Sequence, residues 1–335
     1  MEAKGSRLFF QELHRYKASL VLLASTMILL AVLPRLDMLG FGAIPVVQAL
    51  VPLFCLLAAL AAAIMVLRRR WFASLVLLIG ALLAIAPILV PLVSTAKASS
   101  AAELTVLSIN VEFSRADATA LATSIEEFHA DVVVLIEVEE PLISDVLSHG
   151  LREQLPYRTP TLTSSGDGGT TILSRYPLTF EGMIPVANGI VAFDQPSVLI
   201  KHPKLGTIRV AGVHPYAPIV EGGGKWRTIL RSLDSWQAQH QKIPLIMAGD
   251  FNATRAHPAF RELASSFDDT AAAAGILPIP TWPATLPGPA FLAIDHILAR
   301  GLVATRWQRI WIPDTDHYGI VATLTGTRAV DDAFN

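Results

Sequence analysis

The stretch IMAGDFNAT, residues 246–254, decides how this chain is read. Ile246, Met247 and Ala248 form an apolar run of strand type, Gly249 breaks it, and Asp250 and Asn252 follow at once. A carboxylate at an apolar strand end is costly without a partner, which is a metal, a phosphate or a turn backbone. Asp and Asn are common turn formers, so GDFN alone carries little weight. The weight comes from other strands that end in the same way.

Working outward, residues 104–111 alternate and finish at Asn110, and DVVVLIEV, residues 131–138, is a strand-length apolar run reaching Glu137. GGTTILSRYPL, 168–178, reads as a strand after a glycine turn. Residues 196–214 read as a hairpin turning at Pro203–Gly206 and ending on His214. AFLAIDHILA, 290–299, is a strand carrying Asp295, residues 306–312 form another, and DTDHYGIVATL, 314–324, brings Asp316 and His317 into a last one. Helices are expected over 116–129, 141–154, 225–241 and 259–265. Many strands with a few helices between them predict an α+β fold: a four-layer-type sandwich of two mainly antiparallel sheets flanked by helices.

The composition divides the chain. The protein is 52% hydrophobic and 16% charged, and the excess lies in the first 93 residues. Apolar segments run over 18–33, 41–67 and 71–93. A bilayer core needs roughly 20 apolar residues, which the second and third supply and the first, short, does not clearly reach; it spans or lies at the interface. Lys4, Arg7, Arg15 and Lys17 precede the first segment, and Arg68, Arg69 and Arg70 separate the second and third. The positive-inside rule puts both basic groups in the cytoplasm and everything after residue 100 outside. STAKASSAA, 94–102, has small residues suited to cleavage, but three apolar blocks are too many for a signal peptide. The expected division is an anchor over 1–95, a linker over 96–103, a catalytic domain over 104–325 and a disordered tail over 326–335.

The strand ends supply the chemistry: Asn110, Glu137, His214, Asp250, Asn252, Asp295, Asp316 and His317. Gathered on one edge, these make a site of carboxylates, amides and imidazoles. The single cysteine, Cys55, lies in the anchor, so there is no disulfide framework or thiolate metal site. Hard oxygen donors fit Mg²⁺ or Mn²⁺ better than zinc. The implied chemistry is phosphoester hydrolysis, with a metal neutralising phosphoryl charge and an oriented water attacking in line. A net charge of −2 gives no hint of a nucleic-acid surface.

The ordered pieces LSINV, VVVLIEVEE, GGTTILSRYPL, AGVHPYAP, MAGDFNAT, AIDHILA and DTDHYGI resemble the endonuclease/exonuclease/phosphatase family across residues 104–325. The resemblance implies that Asn110, Glu137 and Asp316 serve the metal, Glu137 most directly. It implies that Asp250 activates water, Asn252 holds the phosphate, Asp295 buttresses His317 against the phosphate, and His214 stands near the leaving group. The resemblance further implies a structural or phosphate-facing role for Arg175. One departure concerns nuclease members, whose second acidic residue on the strand after Glu137 is missing from TTILSRYP, 170–177. The anchor resembles that of bacterial membrane-bound members, including a group linked to glycopeptide antibiotic resistance.

The leading expectation is therefore a multi-pass, membrane-anchored, Mg²⁺-dependent phosphoesterase of the extracytoplasmic face. A lipid-linked phosphodiester, phosphate or pyrophosphate is the favoured substrate. An extracellular nuclease and an inactive phospholipid- or partner-binding domain are the alternatives. The bilayer is the expected partner, and the sequence points to no obligate protein partner.

Overall fold

The computed structural model describes residues 18–37, 43–89, 98–160, 169–219, 223–276, 279–285 and 289–327. The apolar segments form helices α1 (Ala18–Arg35), α2 (Ala43–Ala49), α3 (Val51–Leu67) and α4 (Trp71–Leu89). The second segment is not one straight span: α2 and α3 bend by 52° at Leu50, and Pro52 stands in the first turn of the new helix. Proline suits a first helical turn, where its missing N–H has no partner to lose. Small residues let the helices close up: Ala58 and Ala62 of α3 and Ala81 and Ala84 of α4 are buried together with Met27 and Leu30 of α1. A Cβ at Gly80 would lie 2.6 Å from that of Met27, so only glycine permits this approach. α1, α4 and the bent α2–α3 pair are apolar and long enough to cross a membrane.

The rest of the chain runs β1 (Ala98–Asn110), α5 (Ala118–Glu127), β2 (Val132–Val138), α6 (Glu140–Val146), β3 (Tyr157–Arg158), β4 (Gly169–Ser174), β5 (Leu178–Met183), β6 (Pro196–His202) and β7 (Gly206–Val213). It continues with α7 (Gly224–Gln239), β8 (Leu245–Asp250), α8 (Pro258–Ala264), β9 (Asp268–Asp269), α9 (Thr270–Ala273), β10 (Asp295–Arg300), β11 (Leu302–Ile310) and β12 (Gly319–Thr327). Two six-stranded sheets result, ordered β11-β12-β1-β2-β4-β3 and β5-β6-β7-β8-β10-β9.

Alternation along the strands builds four layers. Val132, Val134 and Ile136 face the other sheet and meet Val210, Ile246 and Ala248. Val133 and Leu135 face outward, under Leu121 and Ile125 of α5 and Ile143 of α6. Met247 and Val213 lie under Ile229 and Leu233 of α7 and Phe260 of α8. Both faces of β2 and β8 are covered, so these strands read as unbroken apolar runs rather than alternating ones.

Four boundaries differ from the sequence reading. Residues 98–103, expected as linker, already belong to β1, which pairs with β12 from Ala98↔Thr327 onward. The same pairing carries order to Thr327, two residues into the expected tail; 328–335 lie outside the described residues. GGTTILSRYPL does not stay in one sheet: β4 ends at Ser174 and the chain crosses to start β5 at Leu178 in the other sheet. The expected helix over 141–154 stops earlier, passing at Leu147–Leu151 into a wider turn where Gly150 takes φ +92°.

The topology fixes where the site must be. β1–α5–β2 and β7–α7–β8 are crossover units whose paired strands are parallel. Asn110, Glu137, His214 and Asp250 therefore all arrive at one end. β10 and β12 run antiparallel to β8 and β1, so their beginnings, with Asp295 and the loop bearing His317, reach the same end.

Candidate active site

The candidate side chains lie at or beside strand ends, and a strained backbone sets two of them, Glu137 and Asn252. Gly249 pairs against Val213, and any Cβ there would lie 2.1 Å from the Val213 carbonyl oxygen. Glycine is thus obligatory in the step before Asp250. Glu137 and Asn252 take φ +58° and +47°, a left-handed conformation that side chains other than Gly adopt only when their surroundings enforce it. For Glu137 the enforcement comes from the 112–114 turn: the Ser114 amide donates to the Glu137 carbonyl at 2.9 Å and the Phe113 amide to Oε2 at 3.2 Å.

All eight residues singled out in the sequence fall into one connected network. Asn110 Nδ2 donates to Glu137 Oε1 at 3.0 Å and to Asp250 Oδ2 at 3.3 Å. Its Oδ1 accepts from the Glu112 amide at 2.9 Å, so Asn110 orients two carboxylates here. His214 Nε2 stands 3.4 Å from Glu137 Oε1. Asp250 Oδ1 accepts the Asn252 amide at 2.7 Å, and Asn252 Nδ2 donates to the Pro215 carbonyl at 3.1 Å. His317 Nδ1 donates to Asp295 Oδ2 at 3.0 Å, which turns Nε2 toward Asp250 at 3.8 Å and Asp316 at 3.7 Å. Ligand atoms of Asp250, Asp295 and His317 lie within 4.8 Å of one another. We read that trio as a carboxylate–imidazole relay, because Asp295 already engages the imidazole N–H.

The electrostatics follow from burial against charge. Burial pulls the His317 imidazole down, but the Asp295 and Asp250 carboxylates outweigh it and push it up to about 10. Burial, with Asp295 adding to it, pushes Asp250 up to about 7 despite His317. Burial also raises Glu137. His214 goes the other way: burial first, then the nearby His317 charge, hold it down to about 3, so it is a neutral ring. It stacks on Phe193, with centroids 4.5 Å apart and planes 14° apart.

Three neighbours escaped the sequence reading. Trp282 donates its indole N–H to Asp316 Oδ2 at 2.8 Å. Thr315 Oγ1 donates to the Asn110 carbonyl at 2.8 Å and accepts the His317 amide at 3.3 Å, tying the last loop to β1. Phe193 supports His214. Trp282 and Phe193 sit in no motif, and Thr315 lies inside DTDHYGI but was not singled out. Arg175 is not at the site; it pairs with Asp131 at 3.3 Å, before the start of β2, the end remote from Glu137.

The donor set fits a hard divalent cation. Asn110 joins the Glu137 and Asp250 carboxylates, Asp316 lies 3.7 Å from His317, the set holds no thiolate, and burial raises Glu137 and Asp250.

Comparison with solved structures finds the same architecture repeatedly. An endonuclease/exonuclease/phosphatase from Beutenbergia cavernae DSM 12333 is 20% identical, covering 67% of this chain and 72% of its own, with a TM-score of 0.50. Truncated Caenorhabditis elegans TDP2 is 16% identical, covering 67% of this chain and 98% of its own, at 0.52. A functionally unknown conserved protein from Enterococcus faecalis V583 is 15% identical, covering 67% and 100%, at 0.52. These likenesses concern the fold. No curated protein sequence matches the chain significantly. Residues 107–317, which span every strand end of the network, match the model of the Endonuclease/Exonuclease/phosphatase family, and the chain therefore belongs to that family of metal-dependent phosphoester hydrolases.

Proposed function

We propose that the protein is a membrane-anchored, Mg²⁺- or Mn²⁺-dependent phosphoesterase that cleaves a lipid-linked phosphoester on the extracytoplasmic side of the membrane. The observation that carries the reading is the Asp295–His317–Asp250 relay, joined through Asn110 to Glu137 and lying on the domain to which the anchor is docked. Glu137, Asn110 and Asp316 are the residues we assign to the metal, which when bound supplies charge neutralisation of the phosphoryl oxygens.

The remaining work falls to the chain. Asp250, raised toward neutrality and fixed by the Asn252 amide, takes the proton of the attacking water; a base poised near working pH is the effective one. The His317 imidazolium, its Nδ1 proton held by Asp295, presents Nε2–H to a non-bridging oxygen. Asn252, bonded through Nδ2 to the Pro215 carbonyl, is the residue we assign to a second phosphate contact. His214, neutral, offers a hydrogen bond on the leaving-group side and not a proton.

Lipid is favoured over nucleic acid because the domain is locked to its anchor. Asp37, after α1, pairs with Arg227 and Arg231 of α7 at 2.6 Å each. The His257 Nε2–H donates to the Pro45 carbonyl of α2 at 2.8 Å, and Arg261 bonds the Pro34 carbonyl. These contacts hold the catalytic loop against the anchor end opposite Arg68–Arg70.

The test is hydrolysis of bis-p-nitrophenyl phosphate by the full chain in nanodiscs, with and without Mg²⁺. Turnover should require the metal and fall at least about a thousandfold in Asp250→Ala and in His317→Ala. Equal turnover by both variants and the parent would remove the site assignment.

A further inference from the structure

A cleft of about 210 Å³ opens where the anchor meets the domain. One wall is Ala49 of α2, Pro52 of α3 and Ile85 and Leu89 of α4; the other is Thr254, Phe291 and Ala293. Its anchor wall continues into the outward faces of the apolar helices, where Ile79, Leu82 and Leu83 are exposed. Among the described residues lining it, the groups able to carry positive charge are Arg255, buried and held by Asp269 at 2.8 Å, and His296, buried and bonded to the Ala253 carbonyl. Its domain wall leads to the catalytic network twice. Thr254 follows Asn252 by two residues. Phe291, 49% exposed, sits edge-on to Trp282 at 6.1 Å, and Trp282 bonds Asp316. The Asp37, Pro34 and Pro45 contacts fix the two walls relative to each other, so the cleft is built into the joint.

Resting on the lipid-phosphoester reading above, we infer that this cleft receives the alkyl chain of the substrate while its phosphoester lies against Asn252 and His317. An apolar slot bounded on one side by membrane-type helices and on the other by the rim of a phosphoesterase site suits a single hydrocarbon chain. The volume is below that of sites for whole drug-sized ligands, and fits a chain segment. The head group stays in the polar site and the chain enters from the bilayer side.

The experiment uses the full chain in nanodiscs and methyl, butyl, octyl and dodecyl p-nitrophenyl phosphates. With the cleft in use, kcat/KM rises with each added methylene, by up to roughly fourfold per group buried, and then levels off. Ala293→Trp fills the domain wall, and the dodecyl-over-methyl preference should fall at least about tenfold. Ala49→Phe fills the opposite wall and provides the same reading if the first variant folds poorly. In parallel, octyl phosphate bearing a terminal diazirine should label the Phe291–Ala293 segment, and less so in Ala293→Trp; this readout needs no turnover. Chain-length-independent rates with the methyl ester turned over, or label confined to the outward faces of α3 and α4, would overturn the cleft alone. Label at Phe291–Ala293 without hydrolysis of any ester would sustain the cleft and overturn the catalytic reading.

Discussion

Asp295 makes its side-chain hydrogen bond to His317 and pairs in the sheet with Asp250, and the relay depends on it. Asp295→Asn keeps the shape but removes the charge that orients and sustains the imidazolium. We expect kcat to drop about a hundredfold to ten-thousandfold, with thermal stability nearly intact, as read by steady-state kinetics and calorimetry. Gly249 fails differently. Gly249→Ala drives a methyl into the Val213 carbonyl at 2.1 Å and asks alanine to adopt φ +149°. A loss of at least about 3 kcal/mol in urea unfolding is expected, and a silent substitution there would contradict the β7–β8 pairing. Both residues were legible as chemistry or punctuation in GDFN and AIDH. The pairing of Asp295 with His317, 22 residues on, was implied only by family resemblance.

At the level of elements, the loop after β8 carries an acid-sensitive joint. His257 accepts the Thr254 amide at Nδ1 and donates from Nε2 to Pro45, so it must be neutral, and burial holds it down to about 4 from 6.5. An unfolded histidine takes its proton near 6.5, whereas the folded one resists until about 4. Stability from this residue is therefore complete above that window and is lost as pH falls through it, by about 3 kcal/mol. His214 and His296, also lowered by burial, add to the same slope. Chemical denaturation between pH 4 and 7 should show a shallower acid slope in His257→Asn than in the parent; identical slopes would place His257 in solvent. The sequence reading gave His257 no role, because its partner is a backbone carbonyl 212 residues away. Periodicity found the strands and most helices, since burial imposes it locally. It could not find the sheet change at Arg175–Pro177, where a single apolar run serves two sheets.

For the whole molecule, the orientation of the anchor remains the main expectation. In intact cells, a membrane-impermeant maleimide should label Ser148→Cys, exposed on the domain, and spare Arg69→Cys. The reverse pattern would put the catalytic domain in the cytoplasm and redirect the search to intracellular phosphoesters. Composition alone marked the helices that are apolar and long enough to cross a membrane, because hydrophobic length is a local quantity. The strand ends, their residue types and their family were also in the sequence, since each follows from a short run of neighbours. Tertiary structure alone decided that Trp282, Thr315 and Phe193 brace the network, and that Asp37 and Pro45 clasp α7 and the 252–257 loop. Those contacts join residues far apart in the chain, and nothing local in the sequence records which surfaces meet when two sheets and an anchor close on one another.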